Sequence, residues 1–507
     1  MNRRFAVALL ALCLAFVAAP APRARAAGAT VVISQGVDLD TLDPLKKTIT
    51  PSTNIYIQLF DQLAKHDLSG KLVPQVATSW KQLNPTTWEF KLRHDVKFWN
   101  GDPLTSADVK FSVEKIKDPA EKSEQIPRVI TIASIETPDP YTVRFITAKP
   151  DALIPGRPWA LSIVDAKYWK EHGDAYQAEH PMGSGSFIFK HWRKDDELAM
   201  DANPKYWGGK PQVDHVIFRP IPENGARVAA LKTGATDLIT NVPVQYALSL
   251  TGGRNTQMVS TKSLRVLFIA FNTMDKGWQQ NKLVRQAFNY AIDVPSVIKS
   301  VLGGRAYELQ SGPIPPGFVG YDSKLASYHF DLAKAKQLLA QAGYPAGKGL
   351  PEVVLNAPVG RYNKDKEVAE AIAGQIQQNL GVKVTVKTQD WPTYVGFVTQ
   401  RRLTPMYELG WGNDTYDADD TLTSLLSGAG RLSTYDNPEV TKEILAARFE
   451  LNAKKRQAMY DDILTKVHED APWLFLFQYE DLYATSKRII WQARPDELIY
   501  ARDIKLR

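Results

Sequence analysis

The clearest signal lies in the middle of the chain, where residues 264–271 (Leu-Arg-Val-Leu-Phe-Ile-Ala-Phe) form a nearly unbroken apolar run and predict a strand. Behind it, apolar residues at 283, 284, 287, 288, 291 and 292 repeat at i, i+3/i+4, the stripe of an amphipathic helix over 283–292. The pattern continues with a helix at 332–342 stopped by Gly343, a strand at 352–355, a helix at 367–380 stopped by Gly381 and a strand at 382–386. Strands and helices therefore alternate across 264–400, which predicts a layered α/β structure. Helices at 440–451 and 455–468 follow, and Trp473-Leu474-Phe475-Leu476-Phe477 closes the section as a buried strand.

The N-terminal half is less regular. Strands are predicted at 30–34, ended by Gly36, at 88–92, at 194–201 and at 212–220, with a short helix over 224–234. Residues 155–185 mix Pro, Gly and aromatics without a period and predict loops. No internal repeat or long Gly/Ser linker interrupts the chain, so the pattern predicts two lobes without a flexible tether.

Length and composition narrow the class. A chain of 507 residues has room for two to four domains, and 44% hydrophobic with 23% charged residues exclude a disordered or fibrous polymer. A single cysteine excludes an intrachain disulfide framework and any cysteine-based zinc or iron–sulfur centre. The net charge of +7 suggests a polyanionic partner, but four of the 62 basic residues lie in the first 26 positions. Without them 58 basic residues face 55 acidic ones, so no nucleic-acid partner is expected.

Those first residues have their own reading. Arg3 and Arg4 precede an apolar run over 5–17, and Ala24-Arg25-Ala26 precedes Ala27, the pattern of a secretory signal peptide over 1–26. Cys13 sits inside the run after Leu12, not at its end after a small residue, so no lipid anchor is expected. A soluble periplasmic protein is the expectation.

Catalytic signatures are missing. The chain has no Gly-x-Ser-x-Gly, His-Glu-x-x-His, Walker A loop or Gly-x-Gly-x-x-Gly. His172, His180 and His191 are read as solvated loop residues. Asp414, Asp417, Asp419 and Asp420 cluster without the central Gly and terminal Glu of a calcium loop, and are read as a solvated or pocket-lining acidic loop. No catalytic residue, metal or cofactor is expected. A hydrolase with dispersed carboxylates is the alternative of a different class.

Several stretches, in order from about 38 to 475, carry a resemblance. They include Asp40-Thr41-Leu42-Asp43-Pro44, 72–80 (Leu-Val-Pro-Gln-Val-Ala-Thr-Ser-Trp), 93–101 (Arg-His-Asp-Val-Lys-Phe-Trp-Asn-Gly), Asn203-Pro204-Lys205-Tyr206-Trp207 and Tyr435-Asp436-Asn437-Pro438-Glu439. The chain resembles the solute-binding proteins of peptide- and nickel-type ABC importers, the dipeptide- and oligopeptide-binding family 5, which also includes opine, glutathione and haem binders. The resemblance implies a two-lobed α/β periplasmic-binding-protein fold (type II, cluster C). Lobe I would take 28–270 plus 479–507, with an extra subdomain inserted near 78–180, and lobe II would take 271–478. The strands at 264–271 and 473–477 would be the hinges.

The resemblance also implies a site. Gly410-Trp411-Gly412-Asn413-Asp414 is similar to the Trp-x-x-Asp segment that holds a peptide's ammonium group in this family, which points to Asp414 and Trp411. A buried ammonium requires such a counter-charge. Gly360-Arg361-Tyr362 resembles the place of the arginine that grips the ligand carboxylate, and Gly36 a position where backbone approaches the ligand. A core tryptophan and a plain strand-ending turn explain Trp411 and Gly36 as well. Asp417-Ala418 stands where the family has Asp-Pro. The implied function is capture of a dipeptide-like solute by a monomer that delivers it to an ABC permease with separate ATPase subunits. The same-fold alternative is a receptor for an opine, oligosaccharide or metal chelate.

Overall fold

The computed structural model describes residues 28–156, 161–309 and 312–507. The segment read as a signal peptide, with Cys13, lies outside the described residues.

Lobe I begins with β1 (Thr30–Gln35). The chain then forms a separate antiparallel sheet of β2 (Ala77–Asn84), β3 (Thr87–Leu92), β4 (Ile132–Asp139) and β5 (Thr142–Thr147), in the order β2-β3-β5-β4. The helix Ser106–Lys117 packs Val109, Val113 and Ile116 into the same core as Phe90 and Phe145 of that sheet. The main sheet resumes with β6 (Phe187–Arg193), β7 (Glu197–Ala202), β8 (His215–Pro220) and β9 (Leu238–Ile239).

β10 (Thr256–Phe271) carries the chain into lobe II, where β11 (Val353–Val359), β12 (Val384–Asp390) and β13 (Met406–Gly412) lie, and β14 (Trp473–Ser486) brings it back. One continuous sheet results, ordered β12-β11-β13-β10-β14-β9-β1-β8-β7-β6.

Both predicted central strands are longer than their apolar runs, for a reason visible in their burial. In the second half of β10, Val266, Phe268 and Ala270 face a core closed by the helices Pro438–Arg448 and Ala453–Asp470. Leu267, Ile269 and Phe271 face a second core closed by Lys282–Tyr290 and Asp365–Leu380. A strand covered on both faces has no polar alternation, and each such side chain contributes roughly 1.5–3 kcal/mol on burial. Phe268 also stacks on Trp473 with centroids 3.6 Å apart. The first half of β10, by contrast, is mostly part-exposed and polar, so it left no apolar signature.

Midway, β10 leaves its ladder with β14. The register slips between Lys262 and Val266, and the N–H of Leu264 donates instead to the carbonyl of Pro495 at 2.8 Å. The two long strands thus run side by side through the middle of the sheet, joined by a ladder that is broken at this point.

The predicted helices and their stops appear in place, with Gly381 left-handed at φ 70° after Asp365–Leu380. Residues 155–185 differ from the loop expectation: Ala166–His172 and Asp174–Gln177 are helical. They are too short to show a period, and Asp165 caps the first by accepting the N–H groups of Lys167 and Tyr168. His172 and His180 are exposed and stack on Tyr176, at 4.7 and 4.2 Å.

Candidate functional site: a cleft between carboxyl-terminal strand edges

In lobe II the parallel strands β11 and β13 pair through Leu355 with Met406 and Asn356 with Tyr407, so their loops, 360–364 and 413–417, leave the same sheet edge. In lobe I, β8 and β9 flank β1 in parallel, and Gly36 and Asn241 lie just beyond their carboxyl ends. Such edges are where open α/β sheets take ligands. Here the two edges meet: Asn241 from lobe I and Arg361 from lobe II line one open-mouthed pocket with Arg265, Tyr362, Asp481 and Glu497.

The loop carrying Arg361 is held by one carboxylate. Asp365 accepts the backbone N–H groups of Gly360, Arg361 and Tyr362 at 3.2, 2.9 and 3.1 Å. The Arg361 guanidinium lies over the rings of Tyr362 and Trp391, 5.0 and 5.2 Å from their centroids. It makes no ion pair with a carboxylate among the described residues. Burial, and after it the charge of Arg265, hold its pKa below the ordinary arginine value.

Of the cavity's other charges, Arg265 pairs with both oxygens of Glu497 at 2.6 and 3.1 Å, and burial pushes the Asp481 carboxyl well above its ordinary pKa. Arg361, which has no ion pair of its own among the described residues, presents a fork suited to a carboxylate.

Asp414 sits at the same edge and faces the other lobe. Its Oδ2 is 2.7 Å from Nη2 of Arg128, on the short helix Ile126–Val129 of lobe I. Trp411 donates its ring N–H to Asp420 at 2.9 Å, and its ring packs part-buried against the core that includes Leu409. Burial and then the Asp414 charge raise the Asp420 carboxyl to about 7. The acidic cluster divides: Asp417 binds Arg456 at 3.0 Å and Tyr460 at 2.8 Å, and Asp419 lies 3.4 Å from Arg448. Asp417 also caps the short helix after it, accepting the Asp419 N–H.

On the lobe I side of Arg128 a small, open pocket is lined by Gln62, Gln125, Thr48, Thr53 and Tyr56. Gln62 is 1% exposed, and neither its amide nitrogen nor its amide oxygen has a hydrogen-bond partner in the protein. Beside this cavity the lobes touch again. Tyr416, left-handed at φ 56°, places its ring 4.8 Å from that of His66. It also covers Gly70, where a Cβ would lie 2.4 Å from Tyr416 Cε1.

This geometry agrees with known proteins. Residues 71–433 match the model of the bacterial extracellular solute-binding proteins, family 5. The chain belongs to that family. A glutathione-binding protein GsiB of Pectobacterium atrosepticum is 28% identical, covering 100% of this chain and 99% of its own. Heme-binding protein A of Haemophilus influenzae is 30% identical over 80% of this chain and 79% of its own. The ABC transporter-associated periplasmic binding protein DppA of Helicobacter pylori, in complex with the peptide STSA, superposes with a TM-score of 0.84 at 27% identity, covering 94% of this chain and 98% of the other.

Family membership establishes the two-lobed α/β type II fold and makes the chain a solute receptor of the periplasmic kind, not an enzyme. No helix among the described residues is long and apolar enough to cross a membrane. Of the residues singled out in this family 5 protein's sequence, Arg361, Tyr362, Trp411 and Asp414 lie at one edge of lobe II. Tyr362 is only 7% exposed and donates its hydroxyl to the Gly410 carbonyl at 3.1 Å. Gly36 packs against Arg227, whose Nη1 would lie 3.2 Å from an added Cβ. Sequence reasoning missed Arg128, Gln62, Tyr416 and the Arg265–Glu497 pair. Gln62 stands in Leu59-Phe60-Asp61-Gln62-Leu63, a stretch that resembles the family but marks no site, and the others stand in no recognised motif and meet their neighbours far away along the chain.

Proposed function

We propose that the protein is the substrate-binding component of an ABC importer, closing its two lobes over a short, dipeptide-like solute and delivering it to a membrane permease with separate ATPase subunits. The observation that carries this reading is Arg361, a part-buried guanidinium with no ion pair among the described residues, on the same lobe edge as the carboxylate of Asp414. A zwitterion of peptide length supplies the missing carboxylate at one end and an ammonium at the other. Among the relatives, one is named for glutathione and one was solved with a tetrapeptide. Ligand contact with both lobes favours the closed state by population shift. The same reading makes residues 1–26 a cleaved signal peptide. It divides a monomer into lobe I (28–270 with 479–507) and lobe II (271–478), with β10 and β14 as hinges.

Calorimetry of Arg361→Ala tests it. Losing one partner of a buried charge pair costs about 2–5 kcal/mol. Alanyl-alanine should therefore bind at least roughly 30-fold more weakly, and its C-terminal amide should be nearly unaffected. Equal losses for both remove the carboxylate role of Arg361. Thermal stabilisation by sugars or nickel chelates but by no peptide would replace the peptide with another solute.

A further inference from the structure

One residue of lobe I stands out at the pocket that holds Arg361. Asn241, just beyond β9, has a left-handed backbone with φ 51° and lines that pocket from lobe I. Its backbone is fixed on both sides: the Thr240 N–H donates to the Ser34 carbonyl at 3.2 Å, and the Val242 N–H to the Leu482 carbonyl at 2.9 Å. The Asn241 carbonyl accepts from Nη2 of Arg227 at 3.4 Å, and Nη1 of the same guanidinium donates to the carbonyls of Ile221 and Pro222 at 2.6 and 3.0 Å. Arg227 is 2% exposed, so a buried clamp ties together the chain beyond β8 and beyond β9.

Glycine and asparagine are the residues that adopt a left-handed conformation at little cost, and glycine alone would make the turn. An asparagine that stabilises a turn does so by bonding its side chain to nearby backbone. The Asn241 side chain makes no hydrogen bond among the described residues, and the residue is exposed at the pocket. What it brings is an N–H₂ group with two hydrogens to donate. From the other lobe Arg361 brings the donors of its fork to the same pocket. One anion with two oxygens can accept from both.

We propose that the carboxylate of the solute is gripped from both lobes at once, by the Arg361 guanidinium and the Asn241 side-chain amide. This rests on the peptide reading above, in which Arg361 takes the carboxylate, and makes Asn241 a specificity-determining residue on the opposite lobe. A group held from both sides favours the closed state, so the carboxylate end of the solute is itself a bridge between the lobes.

The test is calorimetry of alanyl-alanine and its C-terminal amide with the wild type, Asn241→Gly and Asn241→Asp. Glycine keeps the left-handed turn and removes only the side chain, so the melting temperature without ligand should move by about 3 °C or less. Loss of a hydrogen bond to a charged group should weaken alanyl-alanine about tenfold or more, and its amide about twofold or less. Asn241→Asp keeps the size and the turn but sets a like charge against the carboxylate, and should weaken alanyl-alanine further while again sparing the amide. Unchanged alanyl-alanine affinity in Asn241→Gly overturns the inference and leaves the peptide reading standing. Equal losses for acid and amide also overturn it, and would assign the Asn241 amide to Asp481, whose Oδ2 has no hydrogen-bond partner in the protein. Wild-type protein that binds neither peptide overturns both readings. Asn241→Asp decides by itself if Asn241→Gly does not fold.

Discussion

Closure of the cleft should depend on an atom the sequence omits. Gly70 has φ 82°, and a methyl group there would lie 2.4, 2.8 and 2.8 Å from Cε1, Cδ1 and Cζ of Tyr416, in the opposite lobe. Gly70→Ala therefore acts in two separable ways. The left-handed backbone costs an L-residue roughly 1–2 kcal/mol whether the lobes are open or closed, and so lowers the melting temperature. The overlap with the ring exists only when the lobes close, and overpacking of this kind costs typically about 1–3 kcal/mol. That second penalty opposes ligand-induced closure and should weaken dipeptide binding by roughly 5- to 150-fold. Calorimetry reads the affinity, and small-angle scattering reads whether saturating ligand still contracts the molecule. Tyr416→Ala in the same chain should restore much of the affinity but none of the backbone strain. A Gly70→Ala protein that binds and contracts like the wild type would show that Tyr416 does not enter lobe I on closure.

Two further outcomes follow from buried carboxyl groups. Glu408 in β13 has 0% exposure and no partner for either oxygen, and burial holds its pKa well above the ordinary 4.5. The folded state holds its proton to higher pH than the unfolded chain, so this contribution to stability is complete below pH 4.5 and is lost as pH rises toward the raised folded pKa. In denaturant titrations the wild type should therefore lose stability relative to Glu408→Gln as pH rises above 4.5, and parallel curves would mean that Glu408 is ionised in the fold. Asp365→Ala should release the Arg361 loop. It should lower affinity for peptides with a free C-terminal carboxylate about tenfold, and for their amides hardly at all, as measured by calorimetry. Equal loss for both would make Asp365 a structural cap only.

The legible parts of the fold were those whose burial leaves a period. The helix Asp365–Leu380 and its glycine stop could be read because one stripe faces a core, and the second half of β10 because both faces do. β2 could not: seven of its eight residues are at least partly exposed, so its pairing with β3, not an apolar pattern, makes it a strand. The site divides in the same way. Arg361 and Asp414 stand in short segments that resemble a family's motifs. Arg128 meets Asp414 across 286 positions of chain, and its surroundings, Gln-Ile-Pro-Arg, advertise nothing. Only the folded cleft shows that the residue expected to take an ammonium already has a cation beside it.

One strand of contacts ties distant parts of the chain together. The N–H groups of Ile499 and Ala501 donate to the side chains of Asn54 and Gln58, and the Gln58 amide donates to the Ile499 carbonyl, over separations of 441–445 residues. The side-chain oxygens of Asn54 and Gln58, buried on the helix Thr50–Leu59, thus take their donors from a segment more than four hundred positions downstream. Pairings of such long sequence separation are the slow ones to form, because the intervening chain must be closed into a loop first. The helix can form early, but its docking is a late event that clasps the two distant segments together.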